Sequence, residues 1–527
     1  MLKKQLLKMC IASLLLVTML TSVCACATLA PPQKNLKSAY KTYVDQAVEK
    51  LDVFYDKQDA YDLENISIDC NLDVELSSSL LNLLNSTTDQ DWSWINDVDI
   101  QLSEISKDKK IAVDAALKFK DKQLIAINTV ADIASGNYFL AVPLLTSKYL
   151  DIDTKEMMDL DVSWMSQDMN PFKRLPEQQV LEKLIYKYFD IVMERIDDVE
   201  KSEATLTANN VSEKCSSYDV TLTQLDIVNI VLDVVTAAKE DKDIKNIIYS
   251  AVEYINEVGT ALESGYSPES PVEIYAEFVE GCNDFIEDTN ESISDGDIED
   301  IPAMEIQNYV NSKNEIIGID VYLISDSESI HIFAGKADDG ENIGTELFFD
   351  NYDGQKLFEL LGTSEENKDL LSGTYEFIAE DESLLFIDIE DLNTKLLDQG
   401  YLNGSIILSP SSDLIDMVED EMDADAAAAG LALSSISLKL DFEQENDNNF
   451  KLAMHIMSGR NAYASVTLDT AIAKGKSISL PKDSTEDTEE WVADFDFNSL
   501  LDVVNESELP DFIVELVETY VMLLQWS

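Results

Sequence analysis

Two histidines, His331 and His455, are the only imidazoles in 527 residues, and imidazole is the side chain that most readily does acid-base or metal chemistry near neutral pH. They sit in similar strand-like settings, Ile330-His331-Ile332-Phe333-Ala334-Gly335 and Met454-His455-Ile456-Met457-Ser458-Gly459. A carboxylate-backed metal or acid-base role is one reading of that echo. Chance or similar strand-end geometry is the simpler one and is preferred. No histidine pair stands at the spacing of a zincin helix and no C-x-x-C pair occurs, so a structural zinc site is not expected.

Nucleophile and phosphate motifs also fail. Neither G-x-S-x-G nor G-x-x-x-x-G-K-[ST] is present, and Ser38-Ala39-Tyr40-Lys41 matches S-x-x-K on a surface helix, which is read as chance. With 103 Asp and Glu residues, some pair suited to glycoside hydrolysis is always available, so that signal carries no information. Asp350-Asn351-Tyr352-Asp353-Gly354 and Ser294-Asp295-Gly296-Asp297 are fragments of calcium loops without the distant Glu, and read as turns first. Trp92, Trp94, Trp491 and Trp526 could line a ligand groove, with packing the preferred role. No catalytic, cofactor-binding or metal-ligating residue is assigned.

The one residue given a chemical fate is Cys26. Lys3, Lys4 and Lys8 precede an apolar run from Ile11 to Leu20, too short to span a bilayer permanently, and small residues follow. Val23-Cys24-Ala25-Cys26 then fits the lipobox of bacterial lipoproteins, making 1–25 a lipoprotein signal peptide and Cys26 the acylated, palmitate-type N-terminus. Cleavage after Ala25-Cys26-Ala27 is the competing reading and would release a soluble protein. Residues 26–34, with Pro31-Pro32, form a tether.

Charge sets the next limit. There are 37 Lys and Arg against the 103 acids, a net charge of −66, and the signal carries three of the lysines away. Such a surface repels phosphate backbones and anionic headgroups, so nucleic-acid binding is excluded and membrane contact is expected through the lipid. Beyond the signal and Cys26 only Cys70, Cys215 and Cys282 remain, too few to staple a chain this long with disulfides. At 45% hydrophobic residues the composition is globular.

Periodicity gives the elements. Helical spacing runs through 33–58, from Pro176 to Ile196, through 225–239 and 242–258, and from Pro271 to Glu291. Period-two alternation occupies 66–142, a strand pair spans 204–222 around Ala208-Asn209-Asn210, and a longer meander covers 317–468. Asp413 to Leu433 reads as helix, and Pro510 to Trp526 closes the chain with an apolar stripe that carries no basic residues and is expected to dock on the sheet. The expected fold class is α+β, curved antiparallel β-meander sheets covered by long amphipathic helices. The expected division is an N-terminal α+β domain over 35–291, an acidic linker at 292–303, and a C-terminal antiparallel sheet domain with its closing helix over 304–527.

A signal with Cys26, the strand ending Tyr138-Phe139-Leu140-Ala141-Val142-Pro143, the run Cys215-Ser216-Ser217-Tyr218-Asp219-Val220-Thr221-Leu222-Thr223 entering a helix, and the closing Ile478-Ser479-Leu480-Pro481 together carry a resemblance. The chain is similar, over nearly its whole length, to a group of uncharacterised acidic surface lipoproteins of Gram-positive bacteria. More distantly, its architecture resembles lipoprotein carriers of the LolA and LppX type, which implies a curved sheet holding helices and lipid in its concave face. The expected function is an exported, lipid-anchored, non-enzymatic protein on the extracellular face of the cell membrane. It binds an apolar ligand or a protein partner in a sheet-helix groove. A carboxylate-dependent extracellular glycan hydrolase and a structural or adhesive surface protein stand as alternatives, and the oligomeric state is open.

Overall fold

A computed structural model describes residues 32–60, 65–88, 90–133, 135–153, 174–262, 266–324, 330–351, 355–421 and 436–526. The signal peptide, Cys26 and most of the tether lie outside the described residues, as do 422–433 of the expected Ala-rich helix. Helix α1 (Pro32–Ala60) leads into β1 (Asn65–Leu76), α2 (Ser78–Thr88), β2 (Val98–Lys107), β3 (Lys110–Phe119), β4 (Lys122–Asp132), β5 (Asn137–Ala141) and β6 (Tyr149–Asp153). Next come α3 (Gln178–Arg195), β7 (Val199–Ala208), β8 (Val211–Thr223), α4 (Gln224–Glu240), α5 (Lys242–Leu262) and α6 (Pro271–Asp295).

The remaining strands are β9 (Pro302–Val310), β10 (Ile316–Leu323), β11 (Ile330–Asp338), β12 (Ile343–Asp350), β13 (Lys356–Asn367), β14 (Leu370–Ala379) and β15 (Glu382–Asn393). After α7 (Thr394–Asp398) follow β16 (Asn403–Pro410), α8 (Ser412–Glu421), β17 (Ile436–Asn446), β18 (Asn449–Ser458), β19 (Asn461–Lys474) and β20 (Ser484–Thr485). The chain closes with α9 (Thr488–Ala493), α10 (Phe497–Glu506) and α11 (Asp511–Trp526).

Local chemistry sets many of these boundaries. The hairpin turns Asp108-Lys109, Lys120-Asp121, Asn209-Asn210, Lys368-Asp369 and Glu380-Asp381 have positive φ at both residues, the type I′ geometry whose twist matches the flanking strands. Thr223 caps α4, accepting from the Asp226 amide while the Asp226 carboxylate takes the Thr223 amide, which closes a capping box. Ser270 caps α6, Pro271 opens it, and Gly296 ends it in the left-handed region at φ 80°.

All strands join one curved, unclosed sheet. Its order is β7-β8-β9-β10-β11-β12-β13-β14-β15-β16-β17-β18-β19-β1-β2-β3-β4-β5-β6-β20. Among the described residues every strand pairing is antiparallel except β6 with β20. The sheet crosses the boundary expected at 292–303: α6 runs on to Asp295, β9 starts at Pro302, and Thr221 of β8 lies opposite Glu305 of β9. It crosses again where β19 pairs with β1, Leu468 opposite Leu72. A run of Asp, Glu, Ser and Gly marks a turn at the surface and does not say whether the strands on either side share ladders.

Among the described residues, buried helix-sheet packing lies at two places. Leu36, Ala39, Tyr40 and Val44 of α1, with residues of α3 and α4, pack on Tyr218, Val220 and Leu222 of β8 and on Val310 of β9. The Tyr40 hydroxyl bonds Asn308 Oδ1, and the fully buried Asn308 donates to the Tyr218 carbonyl at 3.1 Å, fixing α1 against the strands. Val504, Leu509 and Val517 of the α10–α11 region pack on Phe119 and Leu124. At the sheet's other end the tip of β7–β8 folds over β11, where Leu206, Ala208 and Val211 meet Phe333 and Ala337. Gly344 permits that approach, since a Cβ there would land on the Ala208 carbonyl oxygen.

Candidate functional site

Directly opposed residues of an antiparallel pair share a face, so the registers sort the side chains into two surfaces. His331 and His455 belong to the same, polar one. His331 Nε2 lies 2.6 Å from Asp320 Oδ1, and Nδ1 lies 3.5 Å from Asp350 Oδ2. Tyr322 stacks on the imidazole at 4.0 Å and Phe348 meets it edge-on at 4.8 Å. Burial pushes the Asp320 carboxyl up, with His331 opposing that shift. The imidazole fills the space between the two carboxylates, which therefore cannot flank a glycosidic bond.

His455 has a different set. Its Nε2 is 3.0 Å from Asp441 Oδ2 and its Nδ1 is 2.7 Å from Ser465 Oγ. Asp441 also takes the Ser405 hydroxyl and lies 3.3 Å from Lys439 Nζ. The order Ser-His-Asp matches a nucleophile relay in composition, but Ser465 is in mid-sheet, opposed by His455 on one side and Glu75 on the other. Its backbone is held in ladders on both sides, leaving no turn to supply an oxyanion hole. A further carboxylate pair, Asp73 with Asp99, shares a hydrogen bond that raises the Asp99 pKa, and its cross-strand neighbours Thr467 and Lys118 offer no ring to a sugar. Among the described residues no group of three or more His, Cys, Asp or Glu could hold a metal ion.

Other residues singled out from the sequence take packing roles. Trp92 and Trp94 cluster with Phe512, and Trp491 is buried with its indole N–H on the Lys148 carbonyl. The Trp526 side chain, Cys26 and 352–354 of the calcium-like fragment lie outside the described residues. Ser38 is buried on α1, which packs in the core and not at the surface as its sequence suggested, and its hydroxyl has no hydrogen-bond partner among the described residues. Cys70, Cys215 and Cys282 are free thiols, and burial pushes the Cys215 and Cys282 pKa values up, away from reactivity.

The opposite surface is apolar over most of the sheet. Leu438 faces Ile456, Met454 faces Val466, Leu468 faces Leu72, Leu72 faces Ile100, Cys70 faces Leu102, and Leu102 faces Ala115, which faces Ile127. Toward the other side Ile406 faces Leu440 and Ile389. Six large side chains on this surface, Leu438, Met454, Ile456, Ile100, Leu102 and Ile127, are 37–46% exposed. Together these six leave on the order of 400 Å² of apolar area open on one face, in two groups, Leu438, Met454 and Ile456 on β17–β18 and Ile100, Leu102 and Ile127 on β2 and β4, with β19 and β1 between them. Helix α1 is 29 residues long, about 44 Å at 1.5 Å per residue. Its start packs at β8–β10. Near its other end Lys57 bonds Asp447 at 2.6 Å and sits over the Tyr401 ring, at the turns after β17 and before β16.

Sequence reasoning found the apolar strands but not this shared surface, because the pairing of β19 with β1 joins residues about 400 apart, as at Cys70 and Thr470. Two concave pockets lie elsewhere. A groove of about 600 Å³ runs between α5 and α6, where Lys245 sits over the rings of Tyr249 and Tyr275. The other, about 380 Å³, is polar and is lined by Thr363, Thr374 and Asp388. No helix among the described residues is long and apolar enough to cross a membrane.

No protein-family model matches this chain, and no curated protein matches it. A solved structure titled as intact Ap-TbpB, N and C lobes, aligns over 78% of this chain and 77% of its own length at 8% identity, with a TM-score of 0.10. A superposition at that score carries no argument about fold or function.

Proposed function

We propose that this chain is an exported, lipid-anchored, non-enzymatic protein of the extracellular cell surface that holds a lipid-like ligand in a groove between sheet and helices. The observation that carries the reading is the apolar sheet face, with its six half-exposed large side chains. In this reading the face is the floor of the groove, and α1 with the α10–α11 pair are its walls. Cys26 in its lipobox supplies the anchor, and the charge of −66 keeps the exposed remainder soluble.

The test is equilibrium titration of the mature protein with a fluorescent, uncharged long-chain alcohol. Saturable binding at one or two equivalents is expected. Binding that never saturates, or none, rejects the proposal.

A further inference from the structure

On the apolar face of β2 one carboxylate interrupts the pattern. Glu104 is opposed by Ile68 of β1 and Val113 of β3, with Leu102 next on the same face of its own strand. It is half-buried and makes no hydrogen bond or ion pair among the described residues. The nearest cation by register on this face is Lys474, two strands away beyond Ile472, and it is exposed and likewise unpaired. A half-buried carboxylate without an ion partner is free to take one, and a bound cation on this face would supply it.

From this juxtaposition we infer that the ligand of the apolar face is an amphiphile with an amine head, its ammonium paired with Glu104. The inference rests on the lipid-binding reading above and narrows its ligand class. Glu104 lies toward one end of β2, so the head would stand near the rim of the sheet. The tail would follow Leu102 and Ile100 along roughly 14 Å of strand at ~3.4 Å per residue. Charge complementarity points the same way on the larger scale: a surface at −66 disfavours carboxylate or phosphate heads. A charge-assisted hydrogen bond from ammonium to carboxylate is the stronger kind.

The experiment compares a long-chain primary amine with the alcohol of the same chain length, on the mature protein at physiological ionic strength. The wild type is expected to prefer the amine about tenfold. Glu104→Gln, which keeps shape and removes charge, is expected to bring the amine to within about twofold of the alcohol. Glu75→Gln removes one charge from the opposite face of β1 and is expected to leave the wild-type preference intact. If Glu104→Gln retains the preference, or Glu75→Gln loses it equally, general acidity selects the ligand and the inference is overturned. If the alcohol itself does not bind the wild type, the lipid-binding reading falls first and this inference with it.

Discussion

Replacing Leu438, Met454 and Ile456 together by threonine changes the apolar face at its centre while keeping strand-compatible side chains. Leu438 and Ile456 are direct cross-strand partners, and Met454 lies beside them. Full burial of such a side chain contributes about 1.5–3 kcal/mol. With 37–46% of each still exposed, covering one recovers about 1 kcal/mol. A ligand covering all six half-exposed residues thus gains about 6 kcal/mol from the protein side, before its own burial and the cost of association are counted. Removing three forfeits about 3 kcal/mol, or roughly a 100-fold loss of affinity. The assay is titration with the uncharged fluorescent alcohol, with far-UV circular dichroism checking that the variant is folded. Affinity within twofold of wild type in a folded variant would refute the assignment of the site.

Other outcomes follow from the same structure. Gly344→Ala drives a methyl into the Ala208 carbonyl and Val211, and is expected to lower stability by about 2–3 kcal/mol in urea melts, whereas Gly340→Ala meets open space and is limited to its backbone strain at φ +92°. At Asp241, burial pushes the carboxyl up, but the Lys187 ammonium and the Asp243 amide outweigh it and hold the pKa below 3.8. Its stabilising contribution is therefore present above about pH 4 and lost as pH falls through the depressed native value. Asp241→Asn should cost about 1–2 kcal/mol at pH 7, a difference that shrinks in acid-titrated urea melts. Cys26→Ala should move the protein from the membrane fraction to the soluble one, and retention in the membrane would sink the lipobox reading.

The local elements were largely legible. The spacing of Leu36, Tyr40 and Val44 anticipates α1, and 225–239, 242–258 and 271–291 fall within α4, α5 and α6. Asn209-Asn210 marks the β7–β8 turn because asparagine tolerates positive φ. Strand β13 escaped notice: Leu357, Phe358, Leu360 and Leu361 put apolar residues on both faces, which erases the period of two. Helix α2 was also missed, although Ser77 caps it through the Leu80 amide and leucines follow at helical spacing. What the sequence could not carry was long-range pairing. Alternation says that Leu72 and Leu468 each face an apolar layer, but not that they face it side by side.

The same limit explains the candidate site. His331 and His455 were visible as an echo, and both prove to be carboxylate-backed, yet their partners Asp320, Asp350, Asp441 and Ser465 come from neighbouring strands and were beyond reach. Glu104 was hidden for a similar reason. In a chain with 103 acids, one glutamate becomes conspicuous only when its ladder partners are known to be Ile68 and Val113.

The central claim is that the apolar sheet face holds a lipid-like molecule. Native mass spectrometry of the mature protein, purified without detergent from a lipid-replete host, with solvent extraction of the same sample, tests it most directly. An apolar molecule retained in stoichiometric amount, and displaced by the long-chain alcohol, is the expected result. A ligand-free mass together with an extract containing no amphiphile, from protein that also fails to take up the alcohol, would contradict it.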